Sequence, residues 1–191
     1  VGVGGERSGR GIGGGNADGA APYDRGGGLY NDQGHLTLAN LTFEGNAAGL
    51  GGGLYNNYSE RLDLTNVLFA GNTADSGGGL FNYSSSPVLI GVSFTANSAA
   101  DGGAMYNVFG RPVVTNATFD GNRAAHWGGG IYSAKCDPIL VNVILTGNQA
   151  GSGGALANHW AGPRLTNVTL VGNSAAHGGA QMLELSPARN A

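Results

Sequence analysis

Apolar and polar side chains alternate along most of this chain. Runs such as HLTLANLTF, RLDLTNVLF and DPILVNVIL put apolar residues at every second place, with Leu38, Leu64, Leu89, Val114, Leu140 and Leu165 at equivalent points. Three residues on, Leu41, Val67, Val92, Ala117, Val143 and Val168 restart the alternation. Two further on come Phe43, Phe69, Phe94, Phe119, Leu145 and Leu170. A period of two belongs to strands with one face in a core, not to helices. Gly and Asn close each run within a few residues, so the pattern predicts short strands joined by tight corners.

The pattern repeats. GGGLYN at Gly26 returns at Gly51, then as GGGLFN at Gly77, GGAMYN at Gly102, GGGIYS at Gly128, GGALAN at Gly153 and a degenerate GGAQML at Gly178. Its apolar residue, Leu29, Leu54, Leu80, Met105, Ile131 and then Leu156, recurs at spacings of 25, 26, 25, 26 and 25. A second motif keeps step with it, from FEGNAA at Phe43 to LVGNSA at Leu170. Helical repeats of the ankyrin or tetratricopeptide kind have longer periods and do not carry a Gly pair in every unit. Three short strands per 25 residues instead predict an all-β chain, a single-stranded parallel β-helix. It has about 25 residues per turn, with six full turns and a partial seventh. Residues 26–191 form this solenoid; residues 1–25, Gly-rich and without the motifs, are expected to be a tail, a degenerate cap or a strand-donating segment.

Stacked turns superimpose like side chains, and this explains the residue types. Like charges in a column repel, whereas Asn carries donors and an acceptor and can bond to the copies above and below. Three Asn columns are predicted. The first is Asn46, Asn72, Asn97, Asn122, Asn148 and Asn173. The second is Asn31, Asn56, Asn82, Asn107 and Asn158, interrupted by Ser133. The third is Asn40, Asn66, Asn116, Asn142 and Asn167, interrupted by Gly91. Asn also accepts the left-handed backbone of a sharp corner. Tyr30, Tyr55, Phe81, Tyr106 and Tyr132 form a further stack, and Pro87, Pro112, Pro138 and Pro163 mark one strand entry.

Composition narrows the function. Gly supplies 38 of 191 residues, yet without the three-residue period of collagen. Only 11% of residues are charged and the net charge is -3, with the basic residues scattered, so no nucleic-acid partner is expected. No apolar run approaches the roughly 18 residues of a membrane span, and no membrane insertion is expected. The single Cys136 excludes an internal disulfide, and at a corner it reads as a surface thiol. No cofactor or metal is expected, because the four His show no ligand spacing.

The pairing of Gly102-Gly103-Ala104-Met105 and Gly153-Gly154-Ala155-Leu156 with Phe43-Glu44-Gly45-Asn46 and its copies resembles the repeats of the chlamydial polymorphic outer membrane proteins. It is similar too to the right-handed β-helix repeats of other bacterial surface proteins. The resemblance covers about residues 26–183 and implies a right-handed β-helix at the cell surface or outside the cell.

Three functions follow as expectations. The first is a structural rod whose copies join head to tail into a filament or surface layer. The second is an adhesin-like passenger that meets host or cell-surface components through a lateral face. Val88, Ile90, Val113, Ile139 and Val141 are outward and apolar, and supply such a face. The third is a carbohydrate-active enzyme, whose carboxylates would be Asp75 and Asp101 with His126 and His177 nearby; the reading here is that the chain is not an enzyme. Glycosylation sequons fall at Asn40, Asn57, Asn82, Asn116 and Asn167. Four belong to the columns and are expected to be buried, which leaves Asn57 free.

Overall fold

The computed structural model describes residues 11–19, 24–59 and 61–184. Val1, Val3 and Tyr23 of the expected N-terminal segment lie outside the described residues. Those described form only strands and corners, gathered into three parallel sheets, one of ten strands and two of seven. One turn runs through Leu62–Thr65 and Leu68–Ala70 in the first sheet, Thr73–Ser76 in the second and Leu80–Tyr83 in the third. Every neighbour in a sheet comes from the next turn. Leu54 pairs with Leu80, Leu80 with Met105, Met105 with Ile131 and Ile131 with Leu156. The chain is a β-solenoid of about six turns with the predicted repeat length.

The core is the set of inward columns. Phe43, Phe69, Phe94 and Phe119 are fully buried, and their rings stack 4.9, 4.8 and 4.7 Å apart, almost parallel. That separation is the spacing of neighbouring strands. A slip of one residue would turn every such ring to solvent, so the stack fixes the register. Below it the solenoid begins earlier than residue 26: Gly11–Gly13 pairs with Thr42–Glu44, Asn16–Ala17 pairs with Ala47–Ala48, and Ile12 packs on the core.

The two 26-residue spacings have separate causes. Between Asp32↔Asn57 and Leu36↔Leu62 the later turn holds one extra residue, a longer loop. Between Ala99↔Ala124 and Asp101↔Trp127 the extra residue is a β-bulge at Ala125 and His126.

Each turn bends at left-handed corners. Gly51 and its copies hold one (φ near 65°), and Asn66 and its copies another (φ near 51°). The second Gly of each pair has a different role. A Cβ on Gly103 would lie 2.4 Å from the Gly129 carbonyl oxygen and 2.5 Å from that of Arg123. Close approach of backbone on both sides, not φ, demands glycine there.

The first Asn column is a continuous ladder. Asn72, Asn97, Asn122 and Asn148 are fully buried. Each Nδ2 donates to the Oδ1 of the next Asn at 2.9–3.0 Å, and each Oδ1 also accepts the backbone N–H of the preceding Asn. The second proton of each amide reaches a carbonyl of the preceding turn, as from Asn97 to Phe69. Gly15 N–H caps the ladder on Asn46 Oδ1.

The second column is a ladder only through Asn31, Asn56 and Asn82, at 2.7 and 2.8 Å. Asn82 Nδ2 then turns to the Ser85 carbonyl. Asn107 Nδ2 and Oδ1, Ser133 Oγ and Asn158 Nδ2 are buried without hydrogen bonds. Asn107 Oδ1 loses its donor because Asn82 has turned away, Asn107 Nδ2 finds no amide oxygen at Ser133, and Asn158 Nδ2 faces Leu183 in the next turn. An unpaired buried polar group costs about 1–3 kcal/mol. Ser133→Asn should therefore stabilise the fold by about 1–2 kcal/mol, seen as a higher denaturation midpoint in urea.

The third column reverses an expectation. Asn40, Asn66, Asn116, Asn142 and Asn167 all lie exposed, bonded along the outside, with Asn142 Nδ2 on Asn116 Oδ1 at 3.0 Å and Asn167 Nδ2 on Asn142 Oδ1 at 2.8 Å. They stand at left-handed corners whose side chains turn outward.

Candidate functional site

Three outward regions carry the residues that the sequence singles out. The first is the corner after the second sheet. Asp75 is opposite the Ala100 position, while Ser76 pairs with Asp101, so alternation points Asp75 and Asp101 to opposite faces. The two carboxylates do not converge, and the pair expected of a glycosidase is not formed. Asp101 has another partner: the bulge brings His126 Nδ1 to 3.5 Å from Asp101 Oδ1, while Trp127 takes the Asp101 column position. His177 pairs instead with Ser152, at the last described turn of this sheet. Beside Asp101 runs the aromatic column. Tyr30, Tyr55, Phe81 and Tyr106 stack at 5.3, 5.4 and 4.9 Å, and Tyr132 meets Tyr106 edge-on. These rings stand on the face opposite the inward Leu column, yet Tyr55 and Phe81 are buried.

Burial sets the electrostatics of this corner. Desolvation raises the Asp101 carboxyl above the ordinary carboxylate range, against the pull of His126. Desolvation likewise pushes the Tyr106 phenol up to about 12, helped by Tyr132 and Asp101. A carboxyl raised on folding favours the folded state below its unfolded pKa, and that benefit fades as pH rises through the folded value. Asp101→Asn should thus raise the melting temperature at neutral pH, with the gain shrinking as pH falls below the carboxylate range. Thermal scans from acid to neutral pH check this.

The second region is the expected lateral patch. Val88 pairs with Val113, and Val113 with Ile139; Ile90 pairs with Thr115, and Thr115 with Val141. They do share one outer face of the first sheet. Four are half-buried and only Ile90 is exposed, at 44%, while Thr115 divides the second row.

The third region is the corner after the third sheet, at Gln33, Tyr58, Ser84, Phe109, Lys135 and Trp160, all with positive φ. Sequence reasoning missed it, because its residue types vary from turn to turn. Tyr58, Phe109 and Trp160 are exposed. Tyr83 meets Tyr58 and Phe109 edge-on at 5.4 and 5.7 Å. Lys135 Nζ lies over both the Phe109 and Trp160 rings, at 5.8 and 4.9 Å, and His159 stacks on Trp160.

One single-residue expectation changes. Cys136 is buried, not a surface thiol, and burial lifts it to about 11, which makes it a poor nucleophile. Asn57, the sequon expected to stand clear of the columns, is half-buried, and its Nδ2 donates to Asp32 Oδ1 at 2.7 Å. Of the other sequons only Asn82 is buried; Asn40, Asn116 and Asn167 are exposed.

Two stretches of chain now stand as equivalent structural windows. Each runs from a left-handed Asn, through a core Phe and a ladder Asn, across the Gly corner and into the third sheet. Residues 40–57 and 116–134 match the Chlamydia polymorphic membrane protein repeat. The chain is similar to that repeat in both windows, and the polymorphic membrane protein pattern coincides with what the solenoid needs. Phe43 and Phe119 fill the core, Asn46 and Asn122 the ladder, Gly51 and Gly128 the corner. No curated protein and no solved structure matches the chain.

Proposed function

We propose that this chain is a rigid, surface-displayed rod that meets its partners along its flank. The observation that carries this reading is the division of labour between inside and outside. A continuous ladder and a stacked Phe column hold about six turns in register, so the register does not depend on which residues stand outward. The similarity to a polymorphic membrane protein repeat supports a place at the cell surface. Antibody labelling of intact cells tests it: staining without permeabilisation is expected, and staining only after lysis overturns the reading.

A second reading is end-to-end association of copies. Copies stacked turn upon turn would make a head-to-tail, non-closing contact, and such a contact grows into a filament. Sedimentation over a concentration series separates the two: growing species support a filament, and a monomer at every concentration ends that reading.

A further inference from the structure

Four backbone corners in each turn take a left-handed conformation, and the chain treats three of them alike. One is glycine in every turn. Another is Gly in six turns and Ala96 in a seventh, and the third is Asn in five and Gly91 in a sixth. These are the residues for which positive φ costs least. The fourth corner breaks the rule. Tyr58, Phe109, Lys135 and Trp160 sit at φ of 46°, 53°, 52° and 53°, where a bulky residue is an outlier. The solenoid itself gives no reason for them, since equivalent geometry is met elsewhere by small residues. Strain accepted at a solvent-facing position points to what the side chains do outside.

Their arrangement constrains the partner. The rings form one line parallel to the rod axis, from Tyr58 through Tyr83, Phe109 and Lys135 to Trp160 and His159, each touching the next. The line is one or two residues wide, and beside it Ser86, Arg111 and Asp137 are exposed polar groups. A globular protein partner needs roughly 800 Å² on each side, which a line does not offer. Strand addition is closed as well, because the corner backbone is already bonded between turns, as in Tyr58 N to Tyr83 O and Phe109 N to Ala134 O. What remains is a narrow, extended polymer with a repeated apolar face and hydroxyls at its edges. Charge refines this: Arg111 and Lys135 are exposed on successive turns, while Asp137 Oδ1 is occupied by the Gly162 N–H.

From this line of rings and cations we infer a binding site for a linear, carboxylate-bearing polysaccharide, laid along the rod with sugar faces on the aromatic rings and an acid group at Lys135. The inference deepens the surface-rod reading and rests on it for its biological setting. Polygalacturonate and a neutral linear β-glucan are the probes, in affinity gels and calorimetry with the purified chain. Polygalacturonate should retard the protein and the neutral glucan much less. The combined variant Tyr58→Asn, Phe109→Asn, Trp160→Asn should lose binding at least about tenfold, with a melting temperature equal to or above the original. Lys135→Gln should abolish the preference for the acidic chain. No retardation of the original protein, equal binding by the combined variant, a preference for the neutral chain, or a lower melting temperature of that variant would each overturn the proposal. Surface labelling is independent: a surface protein that ignores polysaccharide loses only this inference, and a binder absent from the surface loses only the earlier reading.

Discussion

Asn97→Ala should destabilise the solenoid by about 4 kcal/mol or more, since each stranded buried polar group costs about 1–3 kcal/mol. Asn97 is fully buried. Its Oδ1 accepts from Asn72 N and Asn72 Nδ2 at 3.0 and 2.9 Å, and its Nδ2 donates to Phe69 O and Asn122 Oδ1 at 2.9 and 3.0 Å. Truncation leaves the Asn72 amide N–H and one Asn72 side-chain amide proton without partners in a site that excludes water. The control is Asn142→Gly. Asn142 bonds to Asn116 on the exposed outer column, at a left-handed corner that glycine accepts, and water can replace the lost contact. It should cost within about 0.5 kcal/mol, as surface changes do. Urea denaturation of both variants checks the contrast, and equal losses would mean that the buried ladder does not hold the turns.

Gly103→Ala should be as damaging, for a steric reason. The added methyl would stand 2.4 Å from Gly129 O, 2.5 Å from Arg123 O and 2.6 Å from Arg123 C, all backbone atoms. No flexible side chain can yield, so adjacent turns must part. Overpacking of cores costs about 1–3 kcal/mol, and more where backbone must move; the expected loss here is at the top of that range or beyond. Gly121→Ala supplies the comparison. Gly121 has φ of 62° but nothing within 4 Å of its Cβ position, and Ala96 already occupies the same corner one turn earlier at φ of 53°. It should cost about 1 kcal/mol, the penalty of left-handed backbone for an L-residue. Soluble yield and denaturation midpoints decide between them.

These contrasts also explain what could be read from the chain. The Phe and Leu columns and the Asn46 ladder were legible because stacking forces identical residues to recur, and identity at a fixed period is visible in one sequence. The outcome at Ser133 was only half legible: the interruption could be seen, but not that Asn82 would turn to Ser85 and leave Asn107 unpaired. The exposed Asn40 column was misread because an outward corner and an inward ladder both favour asparagine, one for φ and the other for hydrogen bonds. The aromatic corner was missed for the opposite reason. Its residues share a backbone conformation and a direction but no side-chain type, so Tyr58, Ser84, Phe109, Lys135 and Trp160 look unrelated in the sequence.

The unpaired amides on either side of Ser133 also bear on how such a rod answers a pull along its length. Tension loads every inter-turn junction in series, and a chain of links parts at the weakest. From Asn82 onward the junctions keep their backbone bonds and the Asn122 ladder, but lack the second rung that joins Asn31, Asn56 and Asn82. Under such tension, parting should begin among these later turns and leave the doubly laddered early turns still wound.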